Sequence, residues 1–414
     1  MFIKNGVTLL RFPFKNAAWI IDQLIGHGFE AYVVGGAVRD YLIDRPIHDV
    51  DIATSARPND VVCLFKRTVP VGINHGTVAV LHHGRTYEVT TFRSESGYED
   101  FRHPNHVSFV SSLDQDLMRR DFTINALAMD RAGKIIDLFG GQEDIRRQQI
   151  RMVGRPDERI TEDPLRMMRG IRFASELEFS LGHAEQNAFL RKASLLKKIS
   201  IERIDQEMVR LLAGQGVQQA IHLLYKTKCI FMLPLLDHAD ALNETAAIQY
   251  RILQSDEERW AAFLSGCRIM KVSTFAKHWK WSNERSRNVA KIMHWTRFRM
   301  KTDWDVASVY FAGCSIAMAV NRLLVSVGLI KEAALPDAQQ EVHQLWENCP
   351  IHSRRDLAAT GHDFIAWSNE KPGPWMTSVI SELEKQIVNG RIENEKEAIH
   401  VWFKRWQDNR KQPY

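Results

Sequence analysis

The feature that most constrains how this chain can fold is a short apolar run, Ala31–Val34, broken by Gly35-Gly36 and followed by Ala37-Val38-Arg39-Asp40. The run reads as a buried strand and residues 37–42 as a helix, so the glycines fall at a strand-to-helix turn. Glycine there lets the backbone approach a phosphate closely, and a helix start offers it unpaired N–H groups. Further on, His48-Asp49-Val50-Asp51-Ile52-Ala53 alternates acidic and apolar residues. That alternation predicts a second strand with both carboxylates on one face. Two carboxylates side by side repel unless a cation lies between them, and oxygen ligands favour Mg²⁺. A phosphate cradle beside a metal-binding Asp-x-Asp is the chemistry of phosphoryl or nucleotidyl transfer. A Gly-Gly alone is usually just a turn; it is the two features close together that carry the reading.

The chain has 414 residues, 45% of them hydrophobic, enough for a sizeable core and roughly two to four domains. A net charge of +5 permits a nucleic-acid partner without requiring one. Five scattered cysteines with no Cys-x-x-Cys pair fit a reducing compartment and argue against a thiolate metal site. Met1-Phe2-Ile3-Lys4-Asn5-Gly6 lacks the apolar core of a signal peptide, and Asn321 and Arg322 interrupt the most apolar later run. The expectation is a soluble cytoplasmic protein with no membrane partner.

Residues 15–28 carry apolar positions at helical spacing, and strands are expected at 76–82 and 86–92. Glu88, in the second of these, is either a third carboxylate near the Asp pair or a solvated strand residue. Residues 93–112 show no period and read as a long surface loop. Arg119, Arg120, Asp121 and Asn125 follow at helix-like spacing, a set suited to a polyanionic triphosphate or to an ordinary salt-bridge cluster.

Residues 162–174 predict one helix, with Pro164, Met167, Met168, Ile171 and Ala174 on one face and Glu162, Arg166, Arg169 and Arg172 on the other. Asp163 lies at the border beside Arg166. Cytosine and adenine both present an exocyclic amine beside an unprotonated ring nitrogen, so a carboxylate can accept from one while a guanidinium donates to the other. Uracil and guanine present the reverse pattern and leave polar groups unpaired. A helix is also expected from Ser200-Ile201-Glu202-Arg203 to about residue 212. Residues 216–414 are helical in pattern, and ten of the eleven tryptophans lie beyond residue 250. They read as packing residues, with base stacking as the alternative.

In order, Gly35-Gly36-Ala37-Val38-Arg39-Asp40, Asp49-Val50-Asp51, Arg119-Arg120-Asp121-Phe122-Thr123-Ile124-Asn125 and Glu162-Asp163-Pro164-Leu165-Arg166-Met167-Met168-Arg169 resemble the bacterial tRNA nucleotidyltransferases. These are the class II CCA-adding enzymes and their poly(A) polymerase relatives. The resemblance is specific across about residues 28–213; beyond that it rests on a helical body and on Lys371-Pro372-Gly373-Pro374-Trp375. It implies an α+β head with a small mixed β-sheet of the polymerase-beta-like kind, followed by all-α neck, body and tail domains. The corresponding boundaries are 1–150, 151–214, 215–335 and 336–414. By position, Gly36 and Arg39 would hold the incoming nucleotide, and Asp49 and Asp51 would ligate Mg²⁺. Arg120 would contact the triphosphate as a catalytic residue, Asp163 and Arg166 would read the base, and Arg169 and Arg172 would support the nucleotide. The implied partners are the tRNA 3′ acceptor end, ATP and CTP, with a monomer or homodimer as the working unit. The full-length segment at 93–112 argues against an enzyme that adds only C. An A-only enzyme, a poly(A) polymerase and an RNA-binding protein with an inactive head remain as alternatives.

Overall fold

The computed structural model describes residues 12–72, 76–98, 104–109, 112–237 and 241–411. By internal contacts they form two units, one running to Ala246 with His278–Lys280, the other comprising Ala247–Lys277 and Trp281–Tyr414. The expected head and neck, residues 1–214, fall inside the first unit.

The first unit opens with α1 (Lys15–Gly26), which buries Ala17, Ile20, Ile21 and Leu24 at helical spacing. It leads into β1 (Ala31–Val34), and α2 (Gly36–Leu42) follows directly after Gly35. Then come β2 (Asp51–Thr54), α3 (Pro58–Leu64), β3 (Thr68–Gly72), β4 (Thr77–His82) and β5 (Arg85–Thr91). After β6 (Arg93–Tyr98) and β7 (Pro104–Phe109) the chain forms α4 (Leu113–Met118), β8 (Leu127–Met129) and β9 (Ile135–Asp137). Seven strands make one sheet in the order β3-β4-β5-β2-β1-β8-β9. Only the β2–β5 pair is parallel among those of this sheet, so it is the expected mixed sheet. Val34, Ala53, Phe92, Leu117 and Ala128 form part of the core packed against it.

Local corrections to the sequence reading have clear causes. β2 begins at Asp51, so Asp49 lies in the segment leading into the strand rather than within it. β3 escapes a pattern search because it contains Pro70, which the edge of a sheet tolerates. Within the expected loop at 93–112, β6 and β7 form an antiparallel hairpin registered from Arg93↔Phe109 to Tyr98↔Pro104. They form a separate two-stranded sheet, and their polar sequence shows no alternation. Residues 99–103 and 110–111 of that segment lie outside the described residues.

Beyond the sheet lie α5 (Gly141–Arg146), α6 (Pro156–Glu162), α7 (Leu165–Leu177), α8 (His183–Lys192), α9 (Ile201–Ala213), α10 (Val217–Lys226) and α11 (Leu242–Ala246). The single helix expected over 162–174 is therefore two. Asp163 is extended (φ −139, ψ 100) and ends α6, because the ring of Pro164 bars the residue before it from helical backbone. Nor are Arg119 to Asn125 helical throughout: α4 ends at Met118 and only Thr123–Asn125 form a 3₁₀ turn.

The second unit is helical, as its pattern predicts, with α12 (Asp256–Gly266), α13 (Asn283–Arg299), α14 (Val306–Ala312), α15 (Cys314–Ser326), α16 (Leu335–Glu347), α17 (Gly361–Ser368), α18 (Pro374–Val388) and α19 (Lys396–Lys411). Phe364, Val379, Leu383, Ile387, Ile399 and Phe403 form one of its cores. Trp260 is fully buried and packs edge-on against Trp281 at 5.1 Å, which makes it a packing residue. Among the described residues no single helix is long and apolar enough to cross a membrane.

Candidate active site

A cleft of about 950 Å³ in the first unit gathers every residue to which the resemblance assigns a site role: Gly36, Arg39, Asp49, Asp51 and Arg120 from the sheet side, and Asp163, Arg166, Arg169 and Arg172 from the helices. At its floor, Gly35 holds φ +74, a backbone state that favours glycine. A Cβ at Gly35 would stand 2.8 Å from the Arg120 Nη1, so any side chain there would displace that guanidinium. Arg39 is buried and locked in place: its Nη1 donates to Asn125 Oδ1 at 2.6 Å and its Nε to Asp40 Oδ1 at 2.9 Å. Arg120 donates to Asp116 Oδ2 at 3.2 Å. Burial works to raise the Asp116 carboxyl, but Arg119 and Arg120 hold it below the usual carboxylate range.

Asp51 pairs in register with Val34 of β1 on one side and Glu88 of β5 on the other. Its side chain opens onto the cleft, yet the surrounding protein still limits its hydration. That desolvation, then Glu88 and Asp49, push its carboxyl above the usual range against the pull of Arg120. Glu88 therefore shares the cleft with the Asp pair instead of facing away. This excess of negative charge is what a divalent cation relieves, so the residues fit one. Among the described residues no three such side chains form a ready-made cage.

The opposite wall is built from paired charges. Asp121 Oδ2 accepts from Arg169 Nε at 2.7 Å, and Asp121 Oδ1 from the Phe122 N–H at 2.8 Å and Asn125 Nδ2 at 3.2 Å. Burial would raise the Asp121 carboxyl, but Arg169 and these hydrogen bonds hold it well below the usual range. Arg172 is 2.7 Å from Glu207 and 3.2 Å from Glu176, with its guanidinium 4.1 Å from the centre of the Phe173 ring. Burial lowers its pKa to about 10, which leaves it cationic at neutral pH. The arginine face of this segment is largely buried and lines the cleft.

Asp163 and Arg166 do not bond to each other. Asp163 Oδ1 accepts from the Leu165 N–H at 3.0 Å and Oδ2 from Arg203 Nη2 at 2.8 Å. Arg166 Nη1 donates to Glu162 Oε2 at 2.6 Å and to the Arg159 carbonyl at 2.8 Å. Each is held by its own partners, and both line the cleft. The sequence reading assigns nothing to Arg203 and Arg210, which also line it. The signal lay in their spacing, two helical turns apart on α9 and so on one face. Thr77, Thr90 and Arg93 were likewise unassigned and complete the sheet side.

A mixed sheet with clustered carboxylates facing an arginine-rich wall defines a nucleotidyltransferase. The Poly A polymerase head domain family matches residues 31–151, and the family described as a probable RNA and SrmB-binding site of polymerase A matches residues 179–239. The family described as tRNA nucleotidyltransferase domain 2 (putative) matches residues 251–403. The chain is 45% identical over 391 residues to the CCA-adding enzyme of Bacillus cytotoxicus, covering 94% of this chain and 98% of that protein. It is 44% identical over 402 residues to the CCA-adding enzyme of Enterococcus faecalis, covering 96% and 98%. A crystal structure of the Bacillus stearothermophilus CCA-adding enzyme in complex with CTP superposes with a TM-score of 0.88 at 40% identity, covering 96% of this chain and 98% of that one. The chain belongs to the family of CCA-adding enzymes.

Proposed function

We propose that this chain adds C, C and A in turn to the 3′ end of tRNA, using CTP and ATP and no nucleic-acid template, in the cytoplasm. The observation that carries the reading is the presence of Asp163 and Arg166 in the same cleft as Asp49, Asp51 and Arg120. A base-reading pair and a charge-handling centre in one cavity give selection without a template strand. The relatives' names, and the CTP bound in the Bacillus stearothermophilus complex, support the choice of substrates.

In this mechanism Gly35 and Gly36 leave room for phosphate, and Arg120 and Arg39 neutralise it. Asp163 accepts from the exocyclic amine of C or A while Arg166 donates to the adjacent ring nitrogen. Arg203 keeps the Asp163 carboxylate oriented, and Glu162 does the same for Arg166. Arg169 and Arg172, fixed by Asp121 and Glu207, support the nucleotide from the wall. Asp49 and Asp51, with Glu88 beside them, would hold Mg²⁺. Bound Mg²⁺ supplies charge neutralisation on the triphosphate and lowers the pKa of the attacking hydroxyl. The primer 3′-hydroxyl attacks the α-phosphate in line and pyrophosphate leaves, with no covalent enzyme intermediate.

The test supplies tRNA lacking its 3′ end together with labelled CTP, ATP and Mg²⁺. Addition of C, C and A followed by arrest is expected. A long A tract would identify a poly(A) polymerase, and A added only after an existing CC would identify an A-adding enzyme. No incorporation would leave an RNA-binding protein.

A further inference from the structure

Strand order fixes the order of groups across the cleft floor. The glycine turn ends β1; next to β1 lies β2 with Asp51, then β5 with Glu88 and Thr90, then β4 with Thr77. Adjacent strands lie about 4.8 Å apart. The Gly35-Gly36 turn is therefore on one flank of Asp51, and Glu88, Thr90 and Thr77 are on the other. In-line displacement sets the leaving pyrophosphate and the attacking hydroxyl on opposite sides of the reacting phosphorus. With the triphosphate on Gly36, Arg39 and Arg120, as the proposed function has it, the hydroxyl must arrive over β5 and β4.

That flank has its own chemistry. Thr77 and Thr90 are register partners with their hydroxyl oxygens 3.0 Å apart, and both line the cleft. One hydroxyl donates to the other, which leaves one O–H free to donate and lone pairs on both free to accept. A ribose 2′-hydroxyl, itself donor and acceptor, complements that pair, and it is the group that separates RNA from DNA. Arg93 opens β6 two residues after β5 ends, and it lines the same cleft. It places a cation on the hydroxyl-bearing flank, away from the triphosphate.

We propose that Thr77, Thr90 and Arg93 form the subsite for the last nucleotide of the RNA primer. The threonine pair meets its ribose 2′-hydroxyl, and Arg93 meets the phosphate joining it to the nucleotide before. This rests on the proposed CCA addition, and the test separates the two.

The experiment uses the full chain and tRNA transcripts ending just before the added sequence. For Thr90→Val and Arg93→Ala, KM for tRNA should rise about 3- to 10-fold, the loss of one contact. KM for CTP, and CTP binding measured without tRNA, should stay within about twofold, inside the scatter of a distant substitution. A primer whose terminal nucleotide is 2′-deoxy should slow the wild type by a similar factor. It should slow Thr90→Val no further, while Thr90→Ser, which keeps the hydroxyl, should respond like the wild type. Independent, multiplying losses in Thr90→Val with the deoxy primer would overturn the ribose contact, and an unchanged KM for tRNA in Arg93→Ala would overturn the phosphate contact. Failure of the wild type to extend tRNA at all would instead refute CCA addition.

Discussion

The two sides of the cleft handle charge in opposite ways. On the helical wall nearly every ion has a protein partner: Asp121 with Arg169, Glu207 with Arg172, Arg203 with Asp163, Glu162 with Arg166. On the floor, Asp49, Asp51 and Glu88 gather like charges, and Arg120 is what the structure sets against Asp51. The wall is thus finished before substrate arrives, which suits a template, since a base can only be read by groups already in place. The floor is left short of positive charge, which in the proposed mechanism bound cations would supply. In the proposed mechanism selection and reaction would use different sides of one cavity, because one needs rigidity and the other needs room for cations.

The largest expected effect breaks the floor. If Asp49 and Asp51 hold Mg²⁺ as proposed, Asp49→Ala or Asp51→Ala should reduce nucleotide incorporation by about 10³-fold or more, since each would remove a ligand for the charge that stabilises the transition state. Nucleotide binding in the absence of metal should change far less, because the wall is untouched. Equal losses in both measurements would show that floor and wall are not separable.

Breaking the wall should do the reverse. Asp163→Ala should lower discrimination of C and A against U and G by about 10- to 100-fold, the worth of one good bidentate pairing, and leave metal binding intact. Incorporation assays with each of the four triphosphates would measure it. Unchanged selectivity would remove Asp163 from base reading.

How far the sequence foretold these two sides follows from what local pattern can carry. The floor was legible because Gly35-Gly36 and Asp49-x-Asp51 are short and contiguous, although β2 starts two residues later than alternation implied. The wall was legible in its residues but not in its form. Pro164 was placed inside a first turn, when its effect on Asp163 splits the segment into two helices. Periodicity put Arg166, Arg169 and Arg172 on one polar face without showing what covers it. Arg169 pairs with Asp121, Arg172 with Glu207 and Asp163 with Arg203, all from distant segments that no spacing rule links. The β6–β7 hairpin stayed hidden because its polar sequence has no period, although its two strands pair with each other.

A third substitution sharpens the comparison through stability. Asp121→Asn removes the nearer carboxylate partner of Arg169 and leaves it Glu207 at 3.8 Å. Because a third of the Arg169 side chain remains exposed, the cost should be about 1–3 kcal/mol, less than for a fully buried pair. Asp121 has a folded-state pKa below its unfolded value, so its contribution is present above the ordinary carboxylate range and disappears as pH falls through and below it. Urea unfolding of wild type and variant at neutral pH and near pH 3 should show the gap narrowing in acid. A gap independent of pH would mean that packing, not charge, sets the effect.

The smallest effect should have the opposite sign on the floor. Asp51 has a raised folded-state pKa, so its ionised form costs the folded state stability at neutral pH. That cost is relieved as pH falls through the raised value, because the folded protein then takes up the proton more readily than the unfolded chain. Asp51→Asn removes the charge while keeping the shape, so with metal chelated it should raise the thermal midpoint by a few degrees at pH 7–8, roughly what 1 kcal/mol or less is worth in a domain of this size. The gain should fade as the pH is lowered through the carboxylate range. It should also shrink or reverse with millimolar Mg²⁺, because the cation stabilises the wild type by binding the folded state alone. A variant less stable than wild type without metal would show that Arg120 already balances the carboxylates, and that the floor, like the wall, is complete before anything binds.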